Sequence, residues 1–134
     1  MPDPSAADPD AADANAPDPG SEDAKIVVLA RAARLRAYVP HTGVAEGAAV
    51  RDTDGRTYAA ATVEMVDPSL TISALRAAVA AAAASGARAF EAAALVTEAD
   101  TPDVRDLAVL REFGAGVPVL LAGVDGAVRR TVTT

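Results

Sequence analysis

The chain has 134 residues, 51% of them apolar but only 3% aromatic, with no Cys, no Trp, one His and a net charge of -7. That length suits one modest domain, and the lack of Cys excludes disulfides, thiolate zinc sites, iron–sulfur clusters and a cysteine nucleophile. A lone His41 excludes multi-histidine metal centres and leaves any Ser-His-Asp scheme resting on that one residue.

Residues 1–24 contain seven acidic groups (Asp3, Asp8, Asp10, Asp13, Asp18, Glu22 and Asp23), no basic group, five of the nine prolines and no Leu, Ile, Val or aromatic residue. Such a segment buries too little apolar surface to offset its ordering entropy, so a disordered acidic tail is expected over 1–24. Its seven charges account for the whole net charge, which makes residues 25–134 neutral. A neutral domain behind a negative tail disfavours nucleic-acid binding driven by phosphate contacts. No run approaches the ~20 apolar residues of a membrane span, and residues 1–20 lack the basic start and apolar stretch of a signal peptide. The expectation is a soluble, cytoplasmic protein with neither nucleic acid nor membrane as partner.

Ser21 followed by Glu22 and Asp23 is a helix start, a capping hydroxyl with carboxylates at the positive end of the dipole. The helix is expected to run to about Ala37, burying Ile26, Leu29, Ala30 and Ala33, with Pro40 ending it. Residues 45–51 and 56–63 read as strands joined by Asp52-Thr53-Asp54-Gly55, a hairpin signal. Thr71 to Ser85 is Ala-rich with Arg76 as its only charge, a second helix stopped by Gly86.

Phe90 to Thr97 has the length and apolar character of a strand. Thr101-Pro102-Asp103 predicts a third helix, with Thr101 as N-cap, Pro102 at the first position and Asp103 in the first turn. That helix would carry Val104, Leu107, Leu110 and Phe113 inward and stop at Gly114. Two further strands, 117–122 and 127–132, flank Asp125-Gly126. Strands alternating with helices demand parallel crossovers, whereas the hairpins are antiparallel, so the fold class is α/β with a mixed sheet.

Four segments share a pattern with one known family. Tyr38-Val39-Pro40-His41-Thr42-Gly43 followed by Gly47-Ala48-Ala49 resembles Tyr-x-Pro-Tyr-Ser-x-Phe-x-Val-Gly-Ala-Ala, and Thr62-Val63-Glu64 resembles Asn-x-Glu. Leu70-Thr71-Ile72-Ser73-Ala74-Leu75-Arg76-Ala77-Ala78 is similar to Leu-Thr-x-Cys/His-Ala-Glu-Arg-x-Ala. Pro102-Asp103-Val104-Arg105-Asp106-Leu107-Ala108-Val109-Leu110-Arg111-Glu112-Phe113 aligns without a gap to Pro-Cys-Gly-x-Cys-Arg-Gln-x-Leu-x-Glu-Phe. Together they resemble the cytidine deaminases from about Lys25 to the C-terminus. The resemblance implies a cytidine deaminase-like three-layer fold, a mixed five-stranded sheet covered by about three helices.

It also implies where chemistry would sit. In that family a zinc held by one Cys or His and two Cys activates a water, and a Glu that is not a ligand moves protons as ammonia leaves. The ligand positions fall on Ser73, Asp103 and Asp106, and the proton-shuttling Glu falls on Leu75. Leu has no titratable group, so no catalytic residue is expected and no zinc. Of the substrate-binding positions, the aromatic falls on Val44, the Asn on Thr62, and Glu64 alone is retained. Thr62 and Glu64 are therefore the candidate nucleoside contacts.

Asp103 and Asp106 as an Asp-x-x-Asp pair would offer hard oxygen ligands for Mg or Mn. The simpler reading makes Asp103 a dipole-offsetting carboxylate and Asp106 a surface charge near Arg105 and Arg111. His41 is expected in a partly exposed loop at the pocket mouth, with Tyr38 and Phe113 as packing residues. The overall expectation is a zinc-free, non-catalytic homologue with a structural or regulatory role. Its partners would be further copies of itself, as a dimer or tetramer through Ala78 and Ala82, or another protein. The alternative is an active cytidine deaminase-type hydrolase, or a nucleoside-binding sensor, with a rebuilt pocket.

Overall fold

The computed structural model describes residues 21–134. The expected tail falls mostly on residues 1–20, outside the described ones. Its last four residues instead open the fold: Ser21 caps α1 (Glu22–Arg34), its hydroxyl accepting from the Ala24 amide at 3.0 Å. The order continues through β1 (Gly47–Asp52), β2 (Thr57–Ala61), a short 3-10 turn (Pro68–Leu70), α2 (Ala74–Ala84), β3 (Phe90–Val96), α3 (Val104–Arg111), β4 (Pro118–Ala122) and β5 (Val128–Thr133). The five strands form one sheet in the order β2-β1-β3-β4-β5, with only the β3–β4 pair parallel. The expected fold class holds.

Period-two alternation divides the strands between two apolar layers. Ala49, Ala92, Ala94, Val96, Leu120 and Ala122 pack under α1 against Ile26, Val27 and Ala30. On the other face Ala48, Val50, Ala93, Leu95, Val119 and Leu121 meet Leu75, Ala78, Val79 and Ala82 of α2 and Leu110 of α3. The small side chains bring helix and sheet close together. At Gly47 a Cβ would collide with the Ala30 carbonyl oxygen and the Arg34 backbone, so only glycine fits where β1 begins.

Gly55 and Gly126 turn the two hairpins at φ +86° and +85°, a region that other residues rarely adopt. Asp52 organises the first: one carboxylate oxygen accepts from the Asp54 and Arg56 amides, the other from the Tyr58 hydroxyl.

Several boundaries differ from expectation. α1 stops at Arg34 rather than Ala37, because Tyr38 turns away to pair with Val63, its amide donating to the Thr62 carbonyl. Val27 is buried in place of Leu29, which is 37% exposed. α2 starts at Ala74, since Ile72 also pairs with Val63. Asp103, not Thr101, caps α3; its carboxylate accepts the Arg105 amide at 2.8 Å, and Pro102 precedes the cap. Val104 faces outward at 76% exposure, while Leu107, Val109 and Phe113 are partly buried around Leu110. Tyr38 is exposed rather than packed, whereas Phe113 meets Phe90 edge-on with centroids 5.5 Å apart. Ala78 and Ala82 lie wholly inside the core, so neither is free to form a contact between subunits.

Candidate functional site

Three backbone segments converge beside the start of α2. Tyr38, Val63 and Ile72 form a pair of isolated bridges, which carry Glu64 and Ser73 to the same place as the loop from His41 to Glu46. The N-terminal end of α3 closes the far side. Between these elements lies a cavity of about 280 Å3 whose walls include Val44, Glu46, Thr62, Glu64, Ser73 and Asp103, with Arg76 and Arg105 beside them. A larger groove of about 630 Å3 lies elsewhere, beside Val28 and Leu29 of α1, and holds none of the candidate residues.

Ser73, Asp103 and Asp106 come close together, yet each is committed elsewhere. Ser73 caps α2, its hydroxyl accepting from the Arg76 amide and the Arg76 Nε while donating to Asp106 Oδ1 at 2.8 Å. That same Oδ1 lies 2.9 Å from Arg76 Nε. Asp103 spends both oxygens on Arg105, one accepting its amide and the other its guanidinium at 3.0 Å. Asp106 is therefore no surface charge: it is 2% exposed and paired with Arg76, not with Arg105 or Arg111. Burial raises its pKa, which the Ser73 hydroxyl and the Arg76 charge oppose.

This arrangement does not fit a zinc ion. A neutral serine replaces a soft ligand, and a guanidinium sits on the oxygen that a cation would need. Among the described residues no group of three or more His, Cys, Asp or Glu is placed to hold any metal. Leu75 is wholly buried in the core beneath, so no titratable group stands at its position.

Glu64 and Thr62 both line the cavity, and both are bound internally. Glu64 Oε1 accepts the His41 and Thr42 amides at 2.7 and 3.0 Å, and its Oε2 accepts the Thr42 hydroxyl. The Thr42 hydroxyl is the main reason that the Glu64 pKa is lowered, with the two amides adding to it. Thr62 Oγ1 accepts the Glu46 amide at 3.0 Å and faces the Glu46 carbonyl at 3.3 Å. His41 is exposed, and its part in the site is its backbone amide.

Sequence reasoning passed over Glu46. It lines the cavity half-buried, with Oε2 accepting the buried Thr97 hydroxyl, and no described residue donates to Oε1. Burial pushes its pKa up, and the charges of Asp106 and Asp103 push the same way. The signal was present: a charged residue stands directly before Gly47, where the resembling segment has Val.

Residues 19–126 match the family profile described as cytidine deaminase-like. Among solved structures, the chain is similar to a cytidine deaminase from Burkholderia pseudomallei at 31% identity and a TM-score of 0.76, covering 81% of this chain and 90% of that one. A cytidine deaminase from Mycobacterium tuberculosis is 33% identical with a TM-score of 0.66, over 72% of this chain and 80% of that one. The fold is also shared with a cytidine deaminase from Mycobacterium leprae, at 23% identity and a TM-score of 0.71 over 81% of this chain and 90% of that one. A search of curated proteins gives no significant match.

Proposed function

We propose that this chain, which belongs to the cytidine deaminase-like family, is a zinc-free and non-catalytic member of it, with a structural or regulatory role. That role is exerted through self-association as a dimer or tetramer, or through a protein partner. Leu75 carries the reading. Hydrolytic deamination needs a group that takes a proton from water and returns it to the leaving nitrogen. Leu75 can do neither, and its side chain is wholly buried. The Ser73–Arg76–Asp106 network supports the same reading, because its hydrogen bonds satisfy the groups that would otherwise hold a metal.

The test is ammonia release from cytidine and deoxycytidine, with zinc added and with zinc withheld, beside elemental analysis of the purified protein. No release and no stoichiometric zinc are expected. Turnover that a chelator abolishes overturns the proposal and restores the hydrolase.

A second reading, nucleoside binding without turnover, draws on the cavity with Glu64 and Thr62 in its wall. It requires Glu64 Oε2, which holds one donor in the Thr42 hydroxyl, to accept a ribose hydroxyl as well. Native mass spectrometry with cytidine and uridine separates it from a filled, purely structural site.

A further inference from the structure

We propose that the cavity beside Ser73 binds a compact organic cation, an ammonium or amidinium, anchored on the free carboxylate oxygen of Glu46. The cavity, at about 280 Å3, falls just below the roughly 300–1,000 Å3 of drug-sized pockets, so the occupant is small.

Hydrogen-bond accounting singles out Glu46. The Ser73 hydroxyl serves Arg76 and Asp106, the Thr62 hydroxyl serves the Glu46 backbone, and Asp103 serves Arg105. Glu64 takes three donors from the loop that it holds. Glu46 has one side-chain partner, Thr97, and that hydroxyl is itself held by the Ala99 amide. Of the carboxylate oxygens on the lining residues, Glu46 Oε1 alone has no donor among the described residues.

Charge accounting agrees. Each guanidinium at the cavity is matched, Arg76 with Asp106 at 2.9 Å and Arg105 with Asp103 at 3.0 Å. Glu46 and Glu64 line the same cavity without a cationic partner among the described residues. A half-buried carboxylate lacking a counter-charge is costly, and the cost is recovered when a cation with N–H donors reaches it. A neutral ligand of equal shape recovers only the hydrogen bond.

The inference rests on reading this cavity as a place of binding rather than of reaction. Its test measures affinity alone, so the absence of turnover and the binding of a cation can fail separately. The full chain is titrated with benzamidinium and with its neutral isostere benzamide, followed by amide NMR shifts. Shifts at Glu46, Thr62 and Thr97 are expected, with benzamidinium binding roughly tenfold or more tightly than benzamide, the worth of one charge-assisted hydrogen bond. Glu46→Gln, which keeps the Thr97 contact and removes the charge, is expected to erase that ratio. Equal affinity for the two probes, no shift around Glu46, or an unchanged ratio in folded Glu46→Gln each overturns the proposal. If Glu46→Gln does not fold, the ratio on the native chain decides.

Discussion

Arg76 and Asp106 meet at 2.9 Å across the contact between α2 and α3, with the Ser73 hydroxyl bound to both. The pair joins the two helices at the edge of the core, where Asp106 is almost wholly enclosed and Arg76 is partly open to solvent. A carboxylate buried to this degree is tolerable only with its partners in place.

Asp106→Ala is therefore expected to lower stability by about 3 kcal/mol, since it leaves Arg76 without its counter-charge and the Ser73 hydroxyl without its acceptor. Asp106→Asn keeps an acceptor oxygen, and its loss should be about half as large. Urea unfolding followed by circular dichroism measures both. Equal and negligible losses would mean that the pair contributes nothing to joining the helices.

Leu75→Glu places the family's acid in its aligned position. Here it inserts a carboxylate among Val79, Leu110 and their neighbours, with no designed partner. The cost is expected to be about 3 kcal/mol or more, against less than about 1.5 kcal/mol for Leu75→Met. No ammonia release should accompany it. A stable, active Leu75→Glu would show that the chemistry is one substitution away.

The layers of the fold were legible because alternation in β1, β3 and β4 and the Ala-rich stripe of α2 are local properties of the sequence. Helix ends were less so. Arg34 ends α1 and Ala74 begins α2 because Tyr38 and Ile72 both pair with Val63, and no local propensity reports a bridge to a distant residue. The site divided in the same way. That Leu75 replaces an acid is visible in the residue itself. The burial of Asp106 depends on how α2 meets α3, so a helix-surface pattern with Arg105 and Arg111 nearby misassigned it. Glu46 was visible as a charge before Gly47, but its isolation emerges only when Thr97 and the cavity wall are placed around it.

The raised pKa of Glu46 has a signature in stability. Burial comes first among its causes, with Asp106 and Asp103 on α3 adding to it and the Thr97 hydrogen bond opposing. A carboxyl whose folded pKa lies above its unfolded value stabilises the fold while protonated. That contribution is complete below the unfolded pKa and is lost as pH rises through the folded one. Glu46→Gln removes the ionisation, so it should be more stable than the native chain at pH 7, with the advantage vanishing below the ordinary glutamate range. Thermal midpoints of both proteins across acid to neutral pH provide the check. An advantage independent of pH would assign the effect to packing instead.

The oligomer expected from the Ala-rich helix needs a different surface from the one first assigned to it. Ala78 and Ala82 are wholly buried against the sheet, whereas Ala80, Ala81 and Ala84 face outward. Ala82→Arg therefore forces a long charged chain into a filled core and should unfold the protein, at a cost of about 3 kcal/mol or more. It reports nothing about assembly. Ala81→Arg adds the same charge on the open face, where a surface substitution costs within about 0.5 kcal/mol. If α2 forms a contact between copies, Ala81→Arg lowers the mass seen by light scattering and leaves the thermal midpoint of the separated subunit intact. An unchanged mass would move self-association away from α2. A native chain that is monomeric at high micromolar concentration would instead make the open Ala face a matter of composition, since Ala tolerates solvent on a helix at little cost.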